Sequence, residues 1–417
     1  MSDQNSSNQS WLARLASHLR EGGYGGVVVN CYVATARHFL ASLAQRRVAV
    51  ERASEDHISG FVEQQRRIYR RKHGHSPRDV ANWQRSKTSG VRMLLRLAHG
   101  EWPPPCPPRD VQDSFRRQLR AEYTQWLSDA RGLAADSIKL LGAQAAQFLE
   151  WLGERCIGDR LSEITVADIN TYLAGRSPLL RRATRTGLAS GLRSFLRYLY
   201  AHGRILHDLA PEVPKPSLYA FETIPSALSP SDIVTVLEAT RRDRTPKGLR
   251  DYAILILLSN YGLRAGEITG LRLEDVNWRS ERLHVRHSKT GAASVLPLLA
   301  PVGEAILDYL RHGRPACQQR EIFLRVCAPY LPLRSGSSLH TCITSRLEQA
   351  GVSIRGKHGP HAFRHARAVS LLRAAVPVKV IGDVLGHRSA SSTAVYLKLA
   401  TDDLRAVGLE VPLEVRL

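Results

Sequence analysis

The sequence lacks paired cysteines, a long apolar run and enough acidic residues to balance its basic ones. Its 6 cysteines are scattered without a C-x-x-C pair, which argues against a zinc site and against a disulfide framework and favours reduced thiols. The longest apolar run, Ala253–Leu258, is far too short to cross a bilayer. The N-terminal MSDQNSSNQS has no charged-then-apolar signal pattern. We therefore expect a cytoplasmic protein that does not engage a membrane.

The shortage of acidic residues has a consequence for partners. There are 59 Lys and Arg against 38 Asp and Glu, which gives a formal net charge of +21. A field of that sign attracts polyanions, and nucleic acid is the commonest soluble one. A merely basic, soluble protein remains the alternative. The proportions of hydrophobic and charged residues, 43% and 23%, are ordinary for a globular chain.

Two proline-rich stretches divide the sequence into three parts. Residues 102–108 read WPPPCPP, which cannot continue a helix and is typical of a stiff spacer. The second stretch runs loosely from Leu209 to Pro230. At its end, Ser229 is expected to cap a helix that begins with Pro230 and carries Asp232 in its first turn.

The first two parts resemble each other. Residues 36–43 (ARHFLASL) are similar to 145–152 (AAQFLEWL), and residues 90–97 (GVRMLLRL) are similar to 191–198 (GLRSFLRY). Apolar residues recur at steps of three and four, so both parts are predicted to be small helical bundles with basic faces. Six arginines of the second part are dense enough to favour phosphate contacts over a merely solvated face: Arg176, Arg181, Arg182, Arg185, Arg193 and Arg197.

The third part, from about residue 227, is helical except for one hairpin. Residues 282–289 and 293–298 alternate in polarity on either side of Thr290-Gly291, and Gly291 suits the positive φ of a turn. Within the same part, Asp251–Leu258 predicts a buried helix, and Gly262 permits a sharp turn after it. Arg264 would then lie at the junction with the next helix.

Arginine is the side chain best suited to neutralise the charge that a phosphate gathers during DNA cleavage without a metal. Arg264 is one candidate, although an i, i+3 surface pair with Glu267 explains it equally well. In PHAFRHA, His361, Arg364 and His365 fall at i, i+3 and i+4 and share a helix face. One histidine there could move a proton while Arg364 holds the oxygens. A surface histidine cluster or a metal site is the alternative.

The last candidates follow a predicted helix end. Gly386 can end a helix in the left-handed conformation and leave His387 in a fixed turn. Nine residues later, Tyr396 lies on the next predicted helix. An isolated helical tyrosine is ordinarily a core or interface residue. The order and spacing of all these segments favour a catalytic tyrosine instead.

Together these segments resemble the tyrosine recombinases, the family of phage integrases and Xer-type resolvases. The resemblance is close over residues 228–405 and looser over the second part. It implies a mainly α fold: SAM-like helical DNA-binding bundles, followed by a mostly helical catalytic domain with a small antiparallel β-sheet. We expect an N-terminal helical module at 1–105 that binds DNA, a core-binding helical domain at 110–205, a linker at 206–227, and a catalytic domain with a C-terminal tail at 228–417. The core-binding and catalytic domains would form a C-shaped clamp around the duplex.

The resemblance implies catalytic roles for six residues, namely Arg264, Lys289, His361, Arg364, His387 and Tyr396. Tyr396 would attack the scissile phosphate, giving a 3′-phosphotyrosyl bond and a free 5′-hydroxyl, while His361 would position or deprotonate it. Since the phosphotyrosyl bond stores the energy for rejoining, no cofactor, metal or ATP is expected.

The other four residues would serve the phosphate and the leaving group. Arg264, Arg364 and His387 would hold the non-bridging oxygens, and Lys289 would protonate the departing 5′ oxygen. Family hairpins commonly carry a second basic residue soon after the lysine, whereas residues 291–294 are neutral here. Phe363 stands where leucine is usual, a tolerable change in a packing position.

The resemblance also implies partners and competing functions. Double-stranded DNA is the expected substrate, bound by a homo- or hetero-tetramer on paired sites, with sister recombinases or DNA-bending proteins as further candidates. Movement of a mobile element is the expected context, in the cytoplasm at the nucleoid. The alternatives are a type IB topoisomerase-like enzyme, a catalytically silent DNA-binding regulator, and a zinc protein that uses the histidines.

Overall fold

The computed structural model describes residues 2–216, 228–287, 291–333, 338–353 and 359–386, apart from the side chains of residues 2–6 and Asp159. The chain divides into two compact units, Pro103–Glu222 and Met1–Trp102 with Thr223–Leu417. The first break therefore falls inside the proline-rich spacer. Within the described residues, separate hydrophobic cores lie in residues 15–102, 119–213 and 228–366, and a smaller cluster lies in residues 368–385.

The N-terminal module consists of four long helices around one core. They are α1 (Ser2–Glu21), α2 (Gly26–Gln45), α3 (Glu55–His73) and α4 (Val80–His99). Phe39 and Phe61 meet edge to face in this core, with ring centroids 5.5 Å apart. Trp102 closes the core, and its indole N–H donates to Glu55 at the start of α3. The module therefore ends immediately before the prolines.

The second module repeats this plan. It consists of α5 (Val111–Asp129), α6 (Ala135–Leu152), α7 (Val166–Arg176) and α8 (Arg182–Ala201). Its core continues beyond α8, since Leu209, Ala210 and Val213 are buried in it. The start of the second proline-rich stretch thus packs onto this module.

The internal similarity predicted from the sequence corresponds to equivalent packing. Gly90 of α4 lies against the backbone of Tyr32 on α2, where an added Cβ would come within 2.5 Å of the carbonyl oxygen. Gly191 of α8 also lies against α6, where an added Cβ would strike the side chain of Gln144 and lie 3.4 Å from that of Leu141. Tyr32 and Leu141 each precede their matched segment by four residues. The two modules therefore bring the same helix pair together at the same place.

One helix of the first module is long and apolar enough, by composition alone, to cross a membrane. This is α2, whose apolar stretch is 39% buried within the structure. Val29, Ala36, Phe39, Leu40 and Leu43 of this helix belong to the N-terminal core. These core positions explain part of the apolar composition of α2.

The third part is helical except for a small sheet. Its helices are α9 (Pro230–Arg241), α10 (Pro246–Tyr261), α11 (Ala265–Thr269), α12 (Ala300–His312), α13 (Ser338–Gln349), α14 (Pro360–Arg373) and α15 (Val378–Leu385). Ser229 caps α9 as predicted. Its hydroxyl accepts a hydrogen bond from the backbone N–H of Asp232, and the Asp232 carboxylate accepts one from the backbone N–H of Ser229. The predicted buried helix is α10, which is central and contacts α9, α12, α13 and α14.

The sheet has three antiparallel strands, β1 (Val276–Asn277), β2 (Arg282–Arg286) and β3 (Ala293–Pro297), in that order. The register pairs Arg286 with Ala293, so the loop between β2 and β3 forms the predicted hairpin. Gly291 adopts φ +68°, as the turn requires. The mainly α fold with a small antiparallel sheet is thus confirmed.

A buried ion network holds α13 to α10. Arg250 and Asp251 lie side by side on α10, and Arg346 of α13 donates through Nε to Asp251 at 2.8 Å. The same guanidinium reaches Asp243 at 2.8 Å, and the Thr245 hydroxyl and this arginine help to lower the pKa of that carboxyl. Arg250, Asp251 and Arg346 of this network therefore each have a partner of opposite sign.

Candidate active site

Arg264 lies where the sequence predicted, between α10 and α11. Gly262 ends α10 at φ +64°, and Arg264 is the residue that precedes α11. Its guanidinium donates from Nη1 to Oε1 of Glu267 at 2.8 Å and from Nη2 to the carbonyl oxygen of Gly386 at 2.8 Å. About a fifth of the side chain, 21%, is exposed. Arg264 is therefore held in place while part of it still faces solvent.

The pairing of Arg264 with Glu267 is real, but it is not a surface ion pair. Glu267 is only 4% exposed. Burial would raise the pKa of this carboxyl, but the backbone N–H of Arg264 and the side chains of His287 and Arg264 all donate to it, and the net effect is a lowered pKa. Glu267 is thus a buried anion that orients the arginine.

Arg364 is buried at the base of the same region, 3% exposed, on α14. Its Nη1 donates to the carbonyl oxygen of Gly262 at 2.8 Å, and its Nη2 donates to the carbonyl oxygen of Leu385. These carbonyls belong to the ends of α10 and α15, groups that a helix cannot satisfy internally. Arg364 therefore ties together two helix ends that lie far apart in the sequence.

The two arginines converge on one turn. Arg364 bonds Leu385 and Arg264 bonds Gly386, which are consecutive residues at the end of α15. Gly386 takes φ +64° and ends the helix in the left-handed conformation, as predicted. His387 follows directly in the sequence. The segments of Arg264 and Arg364, which are far apart in the sequence, thus lie together around this turn.

His361 and His365 lie on α14 beside Arg364, as the helical spacing predicted. His361 is exposed and His365 is half-buried. Their ring planes are inclined by 30°, with centroids 6.2 Å apart. An exposed imidazole one turn from a buried arginine can exchange a proton with a bound ligand. Within the described ranges, no group of three or more His, Cys, Asp or Glu side chains could hold a metal ion.

Three predicted site residues, Lys289, His387 and Tyr396, lie outside the described residues. The described residues nearest to them in the chain are Gly386, directly before His387, and His287 and Gly291, on either side of Lys289. The backbone N–H of Gly291 donates to the carbonyl oxygen of His287 at 2.9 Å, which closes the hairpin loop.

The sequence did not identify His287 as a site residue, and it indicated Glu267 only as the partner of Arg264 in a surface ion pair. His287 is 4% exposed and bonds both Glu267 and Ser294. The one available signal was the alternation along β2, where Leu283 and Val285 are buried and the next position of that face is His287. A polar residue on a buried face needs partners.

Comparison with known proteins shows similarity to integrases and recombinases. The phage integrase family model matches residues 226–402. A putative integrase/recombinase of Sinorhizobium fredii, y4rA, is 32% identical over 409 residues, which span 97% of this chain and 95% of the relative. The tyrosine recombinase XerD of Corynebacterium glutamicum is 27% identical over 306 residues, covering 70% of this chain and 96% of that protein.

Solved structures share the fold at low sequence identity. A λ integrase dimer bound to a COC′ core site matches with a TM-score of 0.52 and 18% identity, covering 72% of this chain and 99% of that one. XerH recombinase in a post-cleavage complex with a palindromic difH substrate matches with a TM-score of 0.53 and 15% identity, covering 72% of this chain and 88% of that one.

Proposed function

This chain belongs to the phage integrase family of tyrosine recombinases, enzymes that cut and rejoin DNA at specific sites, and we propose that Tyr396 is its nucleophile. The phenolic oxygen attacks the scissile phosphorus and the bond to the 5′ oxygen breaks. The products are a 3′-phosphotyrosyl bond and a free 5′-hydroxyl. Attack by the 5′-hydroxyl of a second strand reverses the step and rejoins the DNA.

The observation that carries the proposal is the convergence of Arg264 and Arg364 on the turn that precedes His387. Two guanidinium groups fixed beforehand can hold the non-bridging oxygens, where negative charge develops during attack. Since both are already oriented by protein acceptors, little reorganisation is needed when a phosphate arrives. His387, one residue after Gly386, would add a third donor.

Two proton transfers complete the chemistry. The departing 5′ oxygen takes a proton from the amine of Lys289, a residue between His287 and Gly291 in the sequence. The phenol of Tyr396 loses its proton as it attacks, and His361, exposed on α14, receives or orients it. The residues thus replace the metal that many DNA-cleaving enzymes use.

A nicked suicide substrate tests the nucleophile. Cleavage close to a nick releases a short fragment, so the strand cannot be rejoined and the covalent intermediate accumulates. We expect the full-length protein, incubated with fragments of its source genome, to yield DNA adducts that survive detergent. Sequencing these adducts gives the target, which is then rebuilt as a nicked duplex. Tyr396→Phe should form no adduct on that duplex but should still bind it.

The outcomes of this test separate the competing functions. Adducts that persist in Tyr396→Phe would overturn the assignment of the nucleophile. Adducts with relaxation of plasmids but no exchange between two target duplexes would indicate a type IB topoisomerase-like activity. Binding without any adduct would indicate a silent regulator.

We further propose an assembly and a setting. Exchange between two duplexes requires four cleaved strands, so the active form would be a homo- or hetero-tetramer on paired sites, joined where necessary by sister recombinases or DNA-bending proteins. The setting would be movement of a mobile element, in the cytoplasm at the nucleoid. Cross-linking of the protein on two-site DNA, which traps tetramers only if both sites are present, tests the assembly.

The proposed domain plan gives the N-terminal module a role in binding DNA. The end of α3 supports it, since Arg67, Arg70, Arg71 and Lys72 are all exposed there. Beside them, the ring of Tyr69 lies 4.3 Å from that of His73. Cations interleaved with aromatic rings suit a nucleic acid surface. A triple Arg70, Arg71 and Lys72→Ala variant should then weaken DNA binding.

A matched control for this surface is available in the same module. Arg14, Arg20 and Arg37 are also exposed but lie on α1 and α2. Their replacement by alanine removes similar charge elsewhere. Equal losses of affinity in the two variants would mean that the module contributes charge in general and not a particular surface.

A further inference from the structure

His287 is a buried side chain of the site to which neither the sequence motifs nor the proposed mechanism assigns a role. It lies directly after β2, and 4% of it is exposed. Its Nδ1 is 2.7 Å from Oε1 of Glu267 on α11, and its Nε2 is 2.7 Å from the hydroxyl of Ser294 on β3. Both ring nitrogens therefore have partners on different elements.

The chemistry of the partners fixes the ring. The lowered pKa of Glu267 keeps that carboxylate ionised, and an ionised carboxylate only accepts, so Nδ1–H must donate to it. Nε2 then accepts from the Ser294 hydroxyl when the ring is neutral, and donates to it when the ring is protonated. In either state the imidazole bridges α11 and the hairpin.

The ring also touches the turn at the end of α15. A Cβ added to Gly386 would lie 2.7 Å from Cε1 of His287, so the two residues are in direct contact. The carbonyl oxygen of Gly386 accepts a hydrogen bond from Arg264. Arg264 and His287 also bind the same atom of Glu267, Oε1. His287 thus joins the hairpin to the cluster of arginines.

The backbone of His287 forms the base of the hairpin loop. Its N–H donates to the carbonyl oxygen of Ala292 at 2.8 Å, and its own carbonyl accepts from Gly291. Lys289 is two residues further along the chain. Because only Ser288 separates His287 from Lys289 in the chain, a displacement of the His287 ring would also displace the loop that carries Lys289.

We propose that His287 is a positioning residue that fixes the β2–β3 hairpin, and through it Lys289, against the arginine cluster during DNA cleavage. This inference rests on the proposed function, in which Lys289 protonates the leaving 5′ oxygen.

The first measurement is the rate of cleavage by the full-length protein on its nicked target. His287→Ala should slow cleavage about 100-fold, the cost of misplacing a reacting group by roughly 1 Å, with little change in DNA binding. His287→Gln should recover much of the rate, because its amide can donate to Glu267 and accept from Ser294. His284→Ala is the matched control, since His284 is an exposed histidine of the same region, on β2. Its rate should equal that of the wild type.

The second measurement separates positioning of the acid from general support of the site. In a substrate whose leaving 5′ oxygen is replaced by sulfur, the thiolate departs without needing a proton. Lys289→Ala and His287→Ala should both regain near wild-type rates on this substrate, whereas Arg264→Ala should stay slow. A merely structural role for His287 predicts no such rescue.

Each result has a distinct meaning. Rescue of Lys289→Ala without rescue of His287→Ala would overturn the role of His287 and leave the proposed function intact. Failure of both rescues would overturn the assignment of Lys289 as the acid, and with it the inference drawn from it. If His287→Ala does not fold, Ser294→Ala removes one anchor of the ring only, and its smaller defect should disappear in the same way on the sulfur substrate.

Discussion

At the scale of single residues, Arg364 has a structural task beside its proposed catalytic one. Its guanidinium satisfies the carbonyls of Gly262 and Leu385, in a position that is 3% exposed. Arg264 also bonds a carbonyl, that of Gly386, but it is more exposed. Leaving a buried acceptor without a partner costs about 1–3 kcal/mol. Removing Arg364 should therefore destabilise the protein through two buried carbonyls, and removing Arg264 through the carbonyl of Gly386 and the buried Glu267.

We predict that Arg264→Ala and Arg364→Ala each abolish adduct formation and leave DNA binding largely intact. Arg364→Ala should also lower the melting temperature, by the loss of roughly 1–3 kcal/mol for each orphaned carbonyl, and Arg264→Ala should lower it because the buried carboxylate of Glu267 loses a cationic partner. Adduct gels, fluorescence anisotropy and thermal melting measure the three quantities. Arg311→Ala, an exposed arginine on α12, is the control. Loss of affinity as complete as the loss of cleavage would show that these arginines bind ground-state DNA instead.

Glu267 gives a prediction about pH. Its folded-state pKa lies below the ordinary value of 4.5, through the hydrogen bonds from Arg264 and His287 that outweigh burial. A lowered pKa contributes stability that is fully present above the unfolded value and is lost as pH falls through the folded value. Glu267→Gln should therefore be much less stable than the wild type at pH 7, and the gap should narrow below about pH 4.5. Melting curves from pH 7 to pH 3 measure the gap, and a constant gap would contradict the prediction.

At the scale of elements, the sequence predicted those helix ends and turns that depend only on residues close together in the chain. Ser229, Pro230 and Asp232 specify the start of α9 because a cap and its partners lie within one turn. Gly262 and Gly386 specify helix ends because few other residues accept positive φ. The hairpin followed from alternation on both sides of Gly291.

Contacts between distant elements could not be predicted in this way. Arg364 bonds Gly262, 102 residues away, and Arg264 bonds Gly386, 122 residues away. The family resemblance indicated that these segments meet, but it did not indicate that the arginines bind backbone carbonyls. The position of His287 depends on the packing of the sheet against α11 and α15, which no short pattern encodes. For the same reason, an i, i+3 spacing could not tell a buried Glu267 from an exposed one.

The end of α15 gives the element-scale prediction. Gly386 and Gly203 share φ +64°, so alanine meets the same backbone strain of about 1–2 kcal/mol at both. Only at Gly386 would the new Cβ strike a neighbour, His287, whereas at Gly203 nothing lies within 4 Å. Gly386→Ala should therefore destabilise more than Gly203→Ala and should also slow cleavage strongly. Thermal melting and adduct formation measure both, and equal behaviour of the two variants would contradict the predicted clash with His287.

At the scale of the whole molecule, charge and modularity support each other. The chain carries a net charge of +21, and two of the hydrophobic cores in its described residues belong to modules of equivalent helix packing. Small helical modules with basic faces can bind additional phosphates without changing the chemistry of the catalytic part. The excess charge is therefore best explained as a binding surface that extends beyond the active site.

That explanation predicts a steep dependence of DNA binding on salt. Each neutralised phosphate releases counterions, so the logarithm of the binding constant should fall linearly with the logarithm of the salt concentration, by about 0.9 per phosphate on duplex DNA. The Arg70, Arg71 and Lys72→Ala variant should show a shallower slope, by about 0.9 for each phosphate that it no longer neutralises. Tyr396→Phe should keep the full slope, because the substitution removes no cationic side chain. Anisotropy titrations between low and physiological salt measure the slopes. A flat response in the wild type would contradict the role of the basic modules, and an unchanged slope in the triple variant would exclude the end of α3 from the bound surface.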